Sequence, residues 1–133
     1  MSTLHPIPGR LWIIQLAEEL SRRIERLVRA WPSSERNRAI GDQLIRSTDS
    51  IGENLSEGYA RVHPKERIHF FSMASGSLEE ALFQLRRARE RQLVSEFESK
   101  ILSGLFIRLS KGITAFSASQ SEVRRGYGSG GNL

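Results

Sequence analysis

Asp49, Glu53 and Glu57 recur every four residues, so three carboxylates share one face of any helix that carries them. Such a row can hold Mg2+ or divide general acid and base work, provided burial separates the pKa values. Ion pairing with arginines of a neighbouring helix or subunit is the simpler use. His63, Glu66 and His69 recur every three residues and bring an acid near each imidazole. No HExxH is present, and a ferritin-like di-iron site needs two ExxH pairs where only Glu66 to His69 fits. A solvated helix start is the better account of these three. The chain has no cysteine, which excludes disulfides, thiolate zinc sites, iron–sulfur clusters and thiol nucleophiles. No Walker loop, GxSxG or dinucleotide fingerprint appears, and Gly126, Gly128, Gly130 and Gly131 lack the strand and helix that flank a phosphate cradle. The expectation is a protein that is not an enzyme and holds neither cofactor nor metal.

These side chains must be positioned by a single modest core, because 133 residues suffice for one domain. With 38% hydrophobic and 26% charged residues the chain is not wholly disordered. Proline falls only at 6, 8, 32 and 64 and interrupts no periodic segment. Between these points apolar residues recur at steps of three and four: Ile13, Ala17, Leu20, Ile24, Leu27 and Trp31, then Ile40, Leu44, Thr48, Ile51, Leu55 and Tyr59. After Pro64, one face carries Phe70, Met73, Ala74, Ser77, Ala81, Gln84 and Ala88, with Phe71, Leu78, Leu82 and Leu85 beside it. That arc is wide enough to touch more than one neighbour. Ser95 followed by Glu98 matches a capping box and opens a fourth segment with Phe97, Ile101, Leu105, Leu109, Ile113 and Phe116.

No strand alternation is sustained, and short connections favour antiparallel neighbours. The predicted fold is therefore all-α, an up-down-up-down antiparallel four-helix bundle over residues 11–119. Residues 1–10 form an N-terminal extension, and the Gly/Ser-rich residues 120–133 are expected to be a flexible, disordered tail. Gly41, Gly52, Gly58, Gly76, Gly104 and Gly112 fall inside helices, where each costs about 0.5–1 kcal/mol relative to alanine. Close backbone approach, within the bundle or between subunits, is the plainest compensation. The start has no basic segment leading into an apolar run, and no stretch approaches about 18 uninterrupted apolar residues, so a cytoplasmic location and no membrane partner are expected.

Lys and Arg total 20 against 15 Asp and Glu, a net charge of +5, and 17 of the cations are arginine. Arg22, Arg23, Arg26 and Arg29 close the first helix, and Arg86, Arg87, Arg89 and Arg91 close the third. In an up-down-up-down bundle those helices run the same way, so their ends share one pole with Arg36 and Arg38 at the start of the second. Cations at helix C-termini complement the macrodipole and pair at i to i+4. Ten at one pole exceed that need, and unpaired excess charge repels itself unless a polyanion is expected. RNA or DNA bound through its phosphates fits this pattern, and the scarcity of aromatics among the arginines argues against a stacking platform.

The second segment contains Gln43, Leu44, Arg46, Ser50, Ile51, Asn54, Glu57, Gly58 and Arg61 in the pattern QL-x-R-x-x-x-SI-x-x-N-[IL]-x-EG-x-x-R. This resembles the signature of the four-helix-bundle proteins encoded in 23S ribosomal RNA intervening sequences. Trp12, Gln15, Leu16 and Ala17, and Phe70, Ala74, Ser77, Leu78 and Glu80, support the resemblance, which spans about residues 11–116. Ser56 stands where alanine is usual, and Thr48 and Asp49 where small apolar residues often stand. The resemblance implies a homopentamer with a basic surface. A similar bundle is the accessory variability protein of diversity-generating retroelements, which binds a reverse transcriptase and nucleic acid. Ser47, Ser50, Asn54 and Glu57 share one face of the helix, and a subunit interface is one place where such polar groups find partners. Three readings follow. A non-enzymatic oligomer that binds RNA or DNA through its arginines leads. An adaptor for a protein partner of the reverse-transcriptase type comes second, and a metal-dependent nuclease built on Asp49, Glu53 and Glu57 third.

Overall fold

The computed structural model describes residues 11–131, with side chains from 12 to 122. The expected N-terminal extension lies outside the described residues. Four helices follow in order: α1 (Leu11–Arg29), α2 (Glu35–Ala60), α3 (Pro64–Glu90) and α4 (Glu96–Gly131).

Local chemistry sets each boundary. Pro32 cannot continue α1, and Ser34 then caps α2, its hydroxyl accepting the Asn37 amide at 3.0 Å. Pro64 occupies the first turn of α3, where a missing N–H costs nothing, and His63 caps it by accepting the Lys65 amide through Nδ1 at 3.3 Å. α3 ends in a Schellman arrangement: Leu93 N–H donates to Ala88 O at 2.9 Å and Gln92 N–H to Arg89 O at 3.0 Å. Gln92 therefore sits in the left-handed region, at φ 62°. Ser95 Oγ accepts the Glu98 amide at 3.1 Å and opens α4, as the capping box predicts.

Consecutive helices pack antiparallel, and α4 closes back on α1. The α2–α3 seam is the most extensive and the α4–α1 seam the least. Among the described residues no Cα of α1 comes within 8 Å of α3, nor any of α2 within 8 Å of α4, so these pairs stand on the diagonals. The bundle is thus the predicted one. Its core comprises Ile13, Ala17, Leu20 and Ile24 from α1, Ile40, Leu44, Ile51 and Leu55 from α2, and Phe71, Ala74, Leu78, Ala81, Leu85 and Ala88 from α3. Burying each of the larger of these side chains stabilises the fold by about 1.5–3 kcal/mol.

On α4 the core stripe differs from the expected one. Leu102, Phe106, Leu109 and Ile113 are buried, whereas Phe97 is 77% and Ile101 41% exposed. A 36-residue helix packed against two neighbours turns its buried stripe to the side both share, which leaves Phe97 and Ile101 facing outward even though Val94, just before the helix, is buried in the core. Met73, assigned to the α3 core face, is 45% exposed for the same reason: the centre of that arc is Leu78 and Leu85. α4 also runs beyond residue 119. Gln120 is buried and accepts a hydrogen bond from Arg67 Nη1 at 3.4 Å, which ties the helix to the start of α3. The segment Glu96–Glu122 is long and apolar enough to cross a membrane by length and composition, but in the bundle it supplies four core residues.

Three glycines give the helices their close approach. A Cβ on Gly112 would lie 2.5 Å from Trp12 and 2.7 Å from Ile13, one on Gly58 2.9 Å from Phe70 Cβ, and one on Gly41 2.6 Å from Val28. Gly76 and Gly104 have no such neighbour.

Candidate nucleic-acid interface

Antiparallel packing fixes which residues of α2 and α3 face each other. The Ser50 and Ser77 hydroxyls meet at 2.8 Å across the seam. Two turns toward the start of α2 and the end of α3, the same register puts Gln43 level with Gln84, and two turns further Arg36 level with Arg91. Along this line the seam opens into a groove of about 620 Å³ lined by Arg36, Gln43 and Arg46 from α2, Gln84 and Arg87 from α3, and Arg91 at the α3 C-cap. Asp42 is the only acid on its wall. Ten residues separate Arg36 from Arg46, about 15 Å of helix, a length that about four nucleotides of one duplex strand span at about 3.4 Å each.

The arginines fall into two electrostatic classes. Arg22 and Arg23 share the Glu19 carboxylate, at 3.1 and 3.3 Å; Arg29 pairs with Glu25 at 3.5 Å and Arg89 with Glu96 at 3.5 Å. These are exposed pairs of little energetic consequence, but their charge is answered locally. The hydrogen bonds from Arg22 and then Arg23 hold the Glu19 carboxyl below its usual value. By contrast, no carboxylate of the described residues lies within 4.0 Å of Arg26, Arg36, Arg38, Arg46, Arg86, Arg87 or Arg91. Four of these seven line the α2–α3 groove.

The other unpaired arginines look elsewhere. Arg26 lines a cleft between α1 and α4 together with Arg23. Arg38 borders the pocket under the α1–α2 connection with Arg29 and Trp31. Arg86 stacks over the Phe83 ring at 5.9 Å. The ten arginines predicted to converge do share one end of the bundle, but α1 and α3 occupy diagonal corners, so they form separate edges rather than one patch.

The signature residues of α2 are placed by internal contacts. Asn54 Nδ2 donates to Ser50 O at 2.9 Å and to Ser50 Oγ at 3.1 Å, Glu57 pairs with Arg61 at 2.7 Å, and the Arg61 guanidinium lies 5.0 Å from the Phe70 ring centroid. Gly58 lets α3 approach at Phe70 and Phe71. Thr48, a departure from the common pattern, is fully buried and donates its hydroxyl to Leu44 O at 2.7 Å. Polar groups on this face thus find partners inside the chain. Gln43 and Arg46 instead line the groove. The sequence signal for this placement was present: Arg36, Gln43 and Arg46 follow the i, i+7, i+10 spacing of one helix face.

The acidic candidates separate. Asp49 and Glu53 border the α1–α2 groove with Glu18 and Arg22, while Glu57 turns to Arg61. His63 is engaged as a helix cap, and His69 meets Phe70 edge-on at 5.5 Å between ring centroids. Among the described residues no three His, Asp or Glu side chains converge as a metal site would require.

Comparison with known proteins agrees with this architecture. No curated protein matches the chain. The crystal structure of a protein of unknown function from the S23 ribosomal protein family of Bacteroides thetaiotaomicron superposes with a TM-score of 0.77, covering 83% of this chain and 98% of that one at 15% identity, a likeness of fold. The family model described as 23S rRNA-intervening sequence protein matches residues 10–115, most of the bundle and the whole of the α2 signature. The chain therefore belongs to the 23S rRNA-intervening sequence protein family.

Proposed function

We propose that this protein is a non-enzymatic, homo-oligomeric bundle, working in the cytoplasm, that binds RNA or DNA through its arginines, with the α2–α3 groove as the principal contact. The observation that carries the reading is the four guanidinium groups of Arg36, Arg46, Arg87 and Arg91 along one groove with no carboxylate partner among the described residues. Guanidinium groups present flat, paired donors that match phosphate oxygens, and four of them offer charge without reading bases.

Each neutralised phosphate releases counterions, so four contacts give a slope of about −3.6 in log affinity against log salt on duplex DNA. The test is binding of mixed-sequence RNA and DNA duplexes across a salt series. Wild-type protein is expected to show this steep dependence, and the Arg36→Gln, Arg46→Gln, Arg87→Gln, Arg91→Gln combination to flatten it. Substituting Arg22, Arg23, Arg29 and Arg89 instead is expected to change it far less. Affinity that ignores salt, or no binding at low salt, would overturn the reading. Recovery of one stoichiometric protein from the native host after nuclease treatment would instead favour the adaptor role, with a reverse transcriptase as the partner to look for.

A further inference from the structure

Among the described residues two buried side-chain atoms lack a hydrogen-bond partner, Trp31 Nε1 and Gln84 Oε1. Gln84 is 8% exposed and stands on the wall of the α2–α3 groove, among its arginines. An acceptor in that position costs the folded chain free energy until a donor reaches it, and none of the groove arginines donates to it. Phosphodiester oxygens cannot serve, because they only accept. The other uncharged and acidic groups of the wall differ: Gln43 and Asp42 are exposed, so water meets their needs. Register places the amide further. Gln84 lies level with Gln43, three residues from Arg46 along α2 and three residues from Arg87 along α3, in opposite directions, about 4.5 Å of helix each way. The groove therefore presents cation, amide, cation, the order in which a nucleic-acid strand presents phosphate, sugar, phosphate. In RNA that sugar carries a 2′-hydroxyl, which donates; in DNA the position holds no polar group.

We infer that Gln84 makes the groove prefer RNA to DNA, its Oε1 accepting the 2′-hydroxyl of a ribose whose flanking phosphates lie on Arg46 and Arg87. The inference rests on the nucleic-acid reading of the groove and adds the sugar it selects. The last torsion of a glutamine side chain is soft, so a donor entering the groove draws the oxygen round to it. Arginine contacts hold the two kinds of backbone without distinguishing their sugars. The glutamine oxygen gains a partner from only one of them.

The test is the affinity of the full chain for duplexes of one sequence made as RNA, as 2′-fluoro RNA and as DNA, all at the same low salt. The 2′-fluoro duplex keeps the A-form and has no proton to donate, so it separates the hydroxyl from the shape of the helix. Wild type is expected to bind RNA about threefold to tenfold more tightly than 2′-fluoro RNA and DNA. Gln84→Met, which fills similar space without an amide acceptor, is expected to bind RNA and 2′-fluoro RNA alike. Arg91→Gln is expected to weaken all three together and to keep their ratio. RNA and 2′-fluoro RNA bound alike by wild type, or an RNA preference that Gln84→Met retains, would overturn this inference and leave the groove as a nucleic-acid site. No binding of any duplex would overturn the groove reading with it.

Discussion

The hydroxyls of Ser50 and Ser77 face each other at 2.8 Å, twenty-seven residues apart in the chain, at the middle of the α2–α3 seam. Asn54 donates to the same Ser50 oxygen, so three polar side chains join two helices through one short relay. Such a contact contributes about 0.5–1.5 kcal/mol net, while a buried group left without its partner costs more. Ser50→Ala and Ser77→Ala are each expected to lower unfolding free energy by about 1 kcal/mol. The double variant should lose less than the sum, measured by urea denaturation in a double-mutant cycle.

Gly112 and Gly58 are spatial requirements. Alanine at 112 must displace Trp12, and alanine at 58 meets Phe70 Cβ, an atom fixed to the backbone. Overpacking of this kind costs about 1–3 kcal/mol. Gly112→Ala and Gly58→Ala should both lower the melting temperature, whereas Gly52→Ala, whose new Cβ would stand 3.6 Å from Ala17, should be tolerated or slightly stabilising through helix propensity.

Gln92 occupies a conformation that costs a residue with a Cβ about 1–2 kcal/mol. Gln92→Gly removes that cost while keeping both hydrogen bonds of the α3 terminus, at some loss of chain entropy. A net gain of about 0.5–1 kcal/mol is expected in thermal or urea unfolding. A loss would mean that the Gln92 side chain contributes more than its backbone strain removes.

Glu19 supplies an acid-sensitive contact. Its carboxyl is held below the usual 4.5 by Arg22 and Arg23, so the pairing contributes fully above that value and fades as pH falls through the lower folded value. Carbon-detected titration should place the Glu19 midpoint below the usual 4.5. Arg22→Gln with Arg23→Gln should return it toward 4.5 and remove its small share of the acid dependence of stability.

The four helices were legible because their signals are local. Pro32, Pro64 and the Ser95 to Glu98 capping box each act within one turn, and the structure starts helices at Glu35, Pro64 and Glu96. The stripes of α1 and α2 were legible for the same reason, since narrow patterns such as Ile13, Ala17, Leu20 and Ile24 admit one facing. Phe97, Ile101 and Met73 were misplaced because α3 and α4 carry arcs wider than one contact, and only long-range packing decides which part is covered. The arginines show the same limit. Their common end follows from helix direction and pairs such as Arg23 with Glu19 from i to i+4 spacing, but the pairing of Arg89 with Glu96 across a helix boundary and the meeting of Arg46 and Arg87 in one groove depend on how neighbouring helices rotate against each other, which spacing alone does not contain.

The diagonal placement of α1 and α3 has a consequence for valency. Axes of adjacent helices lie about 8–10 Å apart, so those of α1 and α3 are separated by more than that, with side chains pointing away from one another. A strand lying along Arg36, Arg46, Arg87 and Arg91 leaves Arg26 on the far corner unoccupied. Each protomer thus presents its unpaired positive charge along two separate edges, so one rigid linear polyanion lying in the α2–α3 groove does not also reach Arg26.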